Sequence, residues 1–149
     1  MLKLSRKTLL ALEAVIDIAF NARPEPVQAK EITARQGVPQ RYLEQVMQQL
    51  VRAGVLKGVR GPRGGYRLAK ERRRITVGDI VRVAESIDDG NDEDKPRSDL
   101  GAHIVAPLIH DLQTKVMAEL DNTSIEDLCQ RARAAGVDCG GGAAADFTI

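Results

Sequence analysis

Hydrophobic positions near the start of the chain recur at helical spacing. Leu9, Leu12, Ile16, Ala19 and Phe20 fall on one face, Ala11, Val15 and Ile18 widen it, and Arg6, Glu13, Asp17 and Asn21 mark a narrow polar side. The pattern predicts a mostly buried first helix that ends before Pro24 and Pro26. A short helix is predicted around Ala29–Arg35, broken at Gly37. Pro39 then stands near the start of another helix, which runs to about Arg52, carries Leu43, Val46, Met47 and Leu50 on its apolar face, and stops at Gly54. Two helices joined by a tight glycine-containing turn make a helix-turn-helix pattern.

The period then shortens. VLKGV and YRLA are strand-like runs separated by RGPRGG, which has the chemistry of a hairpin tip. A helix-turn-helix followed at once by a small hairpin is a winged helix. The predicted class is therefore mainly α with a small β-hairpin wing (α+β). Thr76 and Asp79 precede a further apolar helix, and Ser124 and Asp127 repeat that device before a last one. Val105, Leu108, Ile109, Leu112, Val116 and Leu120 form a long apolar stripe, with Pro107 tolerable only in a first turn or at a kink. Such a stripe outside a complete winged-helix unit asks for a covering surface, most simply a second copy of the chain. The expected organisation is a winged domain over 1–86, an acidic flexible loop over 87–103, a dimerisation helix and last helix over 104–136, and a flexible tail over 137–149.

Charge sharpens this division. Residues 1–85 hold 17 Lys and Arg against 8 Asp and Glu, a net of +9, and residues 86–149 hold 5 against 13, a net of −8. Ten of the basic residues lie between Arg41 and Arg74, beside only two acidic ones. A basic winged half suits a polyanion, and double-stranded DNA is the partner that a winged helix reads. Between Gly58 and Ala69 the chain packs four glycines, one proline and three arginines. The glycines allow positive φ and close backbone approach at the tip, while Arg60, Arg63 and Arg67 supply charge for phosphates or a narrow groove. A nucleotide-phosphate loop would need Gly-Lys-Ser/Thr at a helix start, and these glycines lead into Tyr66 and a strand.

On the third helix, Arg41 and Glu44 sit one turn apart. Arg can donate two bonds to guanine and Glu can accept from the cytosine amino group, or the two can pair with each other facing water. Gln40, Gln45 and Gln48 are further candidates, and Tyr42 is either a phosphate contact or packing.

No catalytic motif is present, so no enzyme activity is expected. His103 and His110 lie seven residues apart, about 10 Å along a helix, too far to share a metal without other ligands. Cys129 reads as a buried structural thiol and Cys139 as a thiol in the tail, so neither a disulfide framework nor a metal set is expected. No membrane span or secretory signal is recognised, and a cytoplasmic location is expected.

YLEQV at 42–46, LVRAGVLKGVRGPRGGYRLA at 50–69 and ITVGDIVR at 75–82 together resemble the Rrf-two family of bacterial winged-helix transcription regulators, over about Leu4 to Leu128. The resemblance implies a homodimer on palindromic promoter DNA, with residues 104–121 as the dimer helix. Many members bind an iron–sulfur cluster through three loop cysteines, sometimes with a carboxylate from the first helix. The matching loop here, Ser86–Ala102, has no cysteine, and Leu9 stands at the carboxylate position. No cofactor is therefore expected. The reading is a homodimeric repressor. Two alternatives stand beside it: a regulator acting through an enzyme partner, as one member does, and a metal or cluster sensor using Asp92, Glu93, Asp94 and His103.

Overall fold

The first helix, α1 (Arg6–Phe20), is capped by Ser5, whose hydroxyl accepts from the Thr8 N–H at 3.2 Å. In this computed structural model, which describes residues 4–21, 24–86 and 97–137, α1 forms the centre of the core. Its buried face is Leu10, Ala11, Ala14, Val15, Ile18 and Ala19, and α3, α4, α6 and the second wing strand pack around it. This corrects the predicted face. Leu9 is 48% exposed, and Asp17, assigned to the polar side, is only 6% exposed. The small residues Ala11, Ala14 and Ala19 let neighbouring backbones approach, so the helix is buried through them rather than through Leu9. Asp17 tolerates burial because Arg35 grips it through Nε at 2.8 Å and Nη2 at 2.5 Å, with Gln36 Nε2 at 3.2 Å.

That clamp fixes α2 (Ala29–Gln36) on α1. The α2 start is closed by the Gln28 N–H donating to the Glu31 carboxylate at 2.8 Å, and its end by Gly37, whose φ of 68° only glycine adopts freely. The chain then turns into α3 (Gln40–Arg52), whose Leu43, Val46, Met47 and Leu50 are all buried. This matches the predicted apolar face residue for residue.

The wing is an antiparallel pair, β1 (Leu56–Val59) and β2 (Gly65–Leu68), in register Leu56↔Leu68 through Val59↔Gly65. It is not freestanding: Val27 pairs with Tyr66, giving and receiving backbone hydrogen bonds of 3.0 and 2.7 Å. This third segment, invisible to a period-two search because it is one residue long, explains Gly65, and the hairpin's own turn explains Gly64. A Cβ on Gly65 would lie 2.4 Å from the Val27 carbonyl oxygen, and one on Gly64 would lie 2.3 Å from that of Val59. Their missing side chains admit the protein's own backbone, where the sequence suggested an outside object.

Helix α4 (Val77–Ser86) opens on the predicted reciprocal cap: Thr76 N–H donates to Asp79 at 3.1 Å and Asp79 N–H to Thr76 Oγ1 at 3.1 Å. Beyond the undescribed stretch, helical backbone is already present at Asp99 and Leu100, where Ser98 Oγ accepts from the Gly101 N–H at 3.0 Å. A π turn over Gly101–Val105 leads into α5 (Ala106–Asp121). The wider turn accommodates Pro107, which has no N–H and whose ring would crowd the preceding turn of a regular helix. Helix α6 (Ile125–Ala134) carries the second predicted cap, with Ser124 N–H to Asp127 at 2.9 Å and Asp127 N–H to Ser124 Oγ at 3.1 Å. It buries Ile125 and Cys129 against α1.

The two caps meet. Thr76 and Ser124 form an antiparallel bridge, with Val77 N–H to Thr123 at 2.8 Å and Ile125 N–H to Ile75 at 2.9 Å. Arg82 adds a two-bond contact to Asp121 at 2.8 and 2.5 Å, and Gly78 leaves the room that Asp121 occupies. The C-terminal end of α5 is thereby bolted to the winged domain.

Candidate nucleic-acid interface

With one face of α3 committed to the core, the opposite face is free. Gln40, Arg41, Gln45, Gln48 and Arg52 are exposed, and Glu44 is half-buried beside them. Gln40 Nε2 donates to Glu44 Oε1 at 3.0 Å, so the Glu44 carboxylate is oriented by an amide one turn earlier. About two and a half turns of helix thus present a guanidinium donor, an oriented carboxylate acceptor and three amides, the groups that discriminate base edges in the major groove. Tyr66 on β2 lies near this acceptor. Burial, and then the Glu44 charge, hold its phenol above the ordinary tyrosine range, so it stays a neutral donor. Tyr42 packs partly against the core.

The wing tip brings Arg60 and Arg63 out as exposed cations on either side of Gly61 and Pro62. Arg67 differs. It is exposed on β2, and its guanidinium donates to the Pro24 carbonyl, so part of its donor capacity ties the wing to the loop before α2. Lys57 on β1 adds an exposed cation that sequence reasoning passed over, although its place in a short strand marks it as surface. The Asp17–Arg35 clamp was also missed. It joins residues 18 apart, and no local pattern signals such a pair.

On α5 no residue is buried. Val105, Leu108, Leu112 and Val116 are exposed, and Ile109 and Leu120 are half-buried. Leu100 at 69% and Ile104 at 61% exposure extend the apolar row towards the N-terminus, beyond the stripe read from sequence.

The donor set does not resemble a cluster site. The segment 86–102 carries no thiol. Cys129 is fully buried in α6, and burial raises its thiol above the ordinary range, outweighing the opposite pull of Arg72 and Arg133. Among the described residues no group of three or more His, Cys, Asp or Glu is placed to hold a metal ion. His103 and His110 are both exposed. Cys139, Asp92, Glu93 and Asp94 lie outside the described residues. Among the described residues no helix is long and apolar enough to cross a membrane.

The chain is similar to known proteins over most of its length. A family model described as Rrf2, iron-dependent transcriptional regulator, matches residues 4–131. The HTH-type transcriptional regulator IscR of Photobacterium profundum is 34% identical over 129 residues, covering 85% of this chain and 75% of the relative. IscR of Aliivibrio salmonicida is 36% identical over 129 residues, covering 85% and 77%. Among solved structures, T. potens IscR superposes with a TM-score of 0.73 at 33% identity, over 91% of this chain and 92% of that one. CymR, the global cysteine regulator of B. subtilis, gives 0.67 at 34% identity, over 88% and 98%.

Proposed function

This chain belongs to the Rrf2 family of winged-helix transcriptional regulators, and from that premise we propose that it is a homodimeric repressor that binds palindromic promoter DNA in the cytoplasm and has no catalytic activity. The observation that carries the reading is the exposed face of α3, Gln40 to Gln48, standing beside a wing tip that presents Arg60 and Arg63. Arg41 reads guanine, Glu44 accepts from a cytosine amino group, and the amides of Gln45 and Gln48 complete the base contacts. Arg60 and Arg63 neutralise phosphates beside the groove that α3 enters. The dimer forms through the exposed apolar row of α5, and repression follows from occupying the promoter.

The description of the family as iron-dependent does not transfer to a thiolate-held cluster in the segment before α5. Iron–sulfur clusters are held chiefly by thiolates, and that segment offers carboxylates, a lysine, an arginine and serines instead. The protein therefore binds its operator without such a cluster. Protein prepared anaerobically with iron and sulfide should remain colourless and retain its operator affinity. Duplex DNA from the promoter upstream of its own gene, titrated at rising salt, tests the main reading. Affinity should fall steeply as bound cations release counterions, and an affinity indifferent to salt and to sequence would refute it.

A further inference from the structure

Glu44 stands about one turn after two exposed side chains that could hold it, Gln40 four residues before and Arg41 three residues before. In the structure the amide holds it: Gln40 Nε2 donates to Glu44 Oε1 at 3.0 Å, and among the described residues no ion pair joins Arg41 to Glu44. We propose that Gln40 is a specificity-determining residue that acts by positioning, holding the carboxylate of Glu44 away from the guanidinium of Arg41, so that the two charges meet the bases separately instead of neutralising each other. The inference rests on the base-reading roles of Arg41 and Glu44 proposed above and adds a residue that keeps those roles apart.

Local geometry favours the amide. Arg41 precedes Glu44, the weaker order for an ion pair along a helix, because the helix dipole prefers the carboxylate nearer the N-terminus. Gln40 is the first residue of α3, and the turn that delivers it is tightly set: Gly37 has a φ of 68°, Pro39 is extended at φ −62° and ψ 131°, and the Leu43 N–H donates to the Pro39 carbonyl at 3.1 Å. The Gln40 backbone is therefore fixed before its side chain reaches Glu44. From the wing, Tyr66 borders the same carboxylate. Burial first and the Glu44 charge second keep its phenol neutral, so that side offers a weak donor rather than a competing cation. Glu44 is half-buried between them, and its carboxylate moves through a narrower range than a fully exposed one.

Which partner holds Glu44 decides what reaches the DNA. A glutamine side chain has two amide N–H donors and one carbonyl, so holding Glu44 uses one donor and leaves the carboxylate its charge. An arginine in that place would cancel the charge and would spend its own fork of donors on the protein instead of on guanine O6 and N7. With Gln40 on Oε1, Arg41 keeps its fork for guanine, and Oε2 of Glu44 is the oxygen left to accept from a cytosine amino group. A held carboxylate also penalises a base that offers no donor, since it does not swing to Arg41 when the wrong base arrives. Gln40 thus sharpens preference at two positions without touching either base.

The test uses the full chain and the promoter duplex upstream of its own gene, with single-base variants of that duplex as competitors. Gln40→Met keeps the length and helix propensity of the side chain and removes its amide, and because Gln40 is exposed the helical spectrum should not change. Discrimination should fall about fivefold or more at two positions, the guanine lost by Arg41→Ala and the cytosine lost by Glu44→Ala. In the Arg41→Ala background the same change should leave cytosine discrimination as it was, because no guanidinium remains to capture Glu44. In the free protein, the Arg41 Nε–H should exchange with water more slowly in Gln40→Met, and the slowing should vanish when Glu44→Ala is added. Unchanged discrimination or unchanged exchange in Gln40→Met overturns the positioning role and leaves Arg41 and Glu44 as readers, as does a loss confined to a third base that Gln40 itself would touch. If Arg41→Ala and Glu44→Ala alter no base preference, the base-reading roles fail, and the positioning role falls with them.

Discussion

The helices α1 and α5 differ by a single residue in length and both carry a strong apolar stripe, yet eight residues of α1 are buried and none of α5 is. The difference lies in what surrounds each stripe. Helix α1 lies between α3, α4 and α6, and its alanines let them close in. Helix α5 rests on α4 along one edge, is fastened at Asp121, and leaves Leu100, Ile104, Leu108, Leu112 and Val116 open. A hydrophobic period thus states that a face will be covered, without stating which chain covers it. The first helix belongs to the folding of one subunit, and the fifth, on the dimer reading proposed above, to the assembly of two.

Charge substitutions should separate the two helices most sharply. Val15→Asp places a carboxylate at a fully buried point of α1 and should destabilise the fold by about 3 kcal/mol or more, read as loss of the cooperative urea transition or a large fall in its midpoint. Val116→Asp in α5 should leave the monomer's circular dichroism intact while weakening the dimer by about 2 kcal/mol or more, seen by sedimentation. If Val116→Asp unfolds the chain, or leaves the dimer intact, the contrast between the helices is wrong.

The DNA-facing half extends the comparison. Arg41→Ala or Glu44→Ala should relax base preference at one position of each half-site, at a cost of about 1–3 kcal/mol, in competition binding against single-base operator variants. Arg63→Ala should act more evenly across sequences, lowering the salt slope by about 1 with the thermal transition unchanged.

The smallest effect concerns the caps that join the halves. Asp127 is held below the ordinary carboxylate range by the Ser124 N–H and hydroxyl, and Asp121 by Arg82. A carboxylate depressed in the folded state stabilises it at pH values above its unfolded pKa, and that contribution is lost as pH falls through the folded value. The melting temperature should therefore decline below about pH 4, and Asp127→Asn should flatten that decline. Equal slopes for the two proteins would remove the cap from the acid response.

Much of this architecture was legible in the sequence because its signals are local. The face of α3, the caps at Thr76 and Ser124, and the glycine-bearing wing each declare themselves within a few residues. What escaped is non-local. The exposure of Leu9 and burial of Asp17 depend on which elements close around α1, and Asp17 is matched only by Arg35 from the next helix. Gly65 looked like an adaptation to DNA because the segment that crowds it, at Val27, lies far away in sequence. At the proposed interface, composition and motif placed Arg41, Glu44 and Arg63 on exposed elements. The engagement of Glu44 by Gln40 and of Arg67 by the Pro24 carbonyl needed coordinates.

Selection from a pool of random duplexes by the wild-type protein addresses the central claim in one experiment. A two-fold reader with one α3 per half-site should enrich an inverted repeat whose half-sites lie about 34 Å apart, or a multiple of that spacing, with guanine and cytosine at the positions lost by Arg41→Ala and Glu44→Ala. A pool that shows no enriched sequence, or a single asymmetric half-site bound by a monomer, would contradict the account.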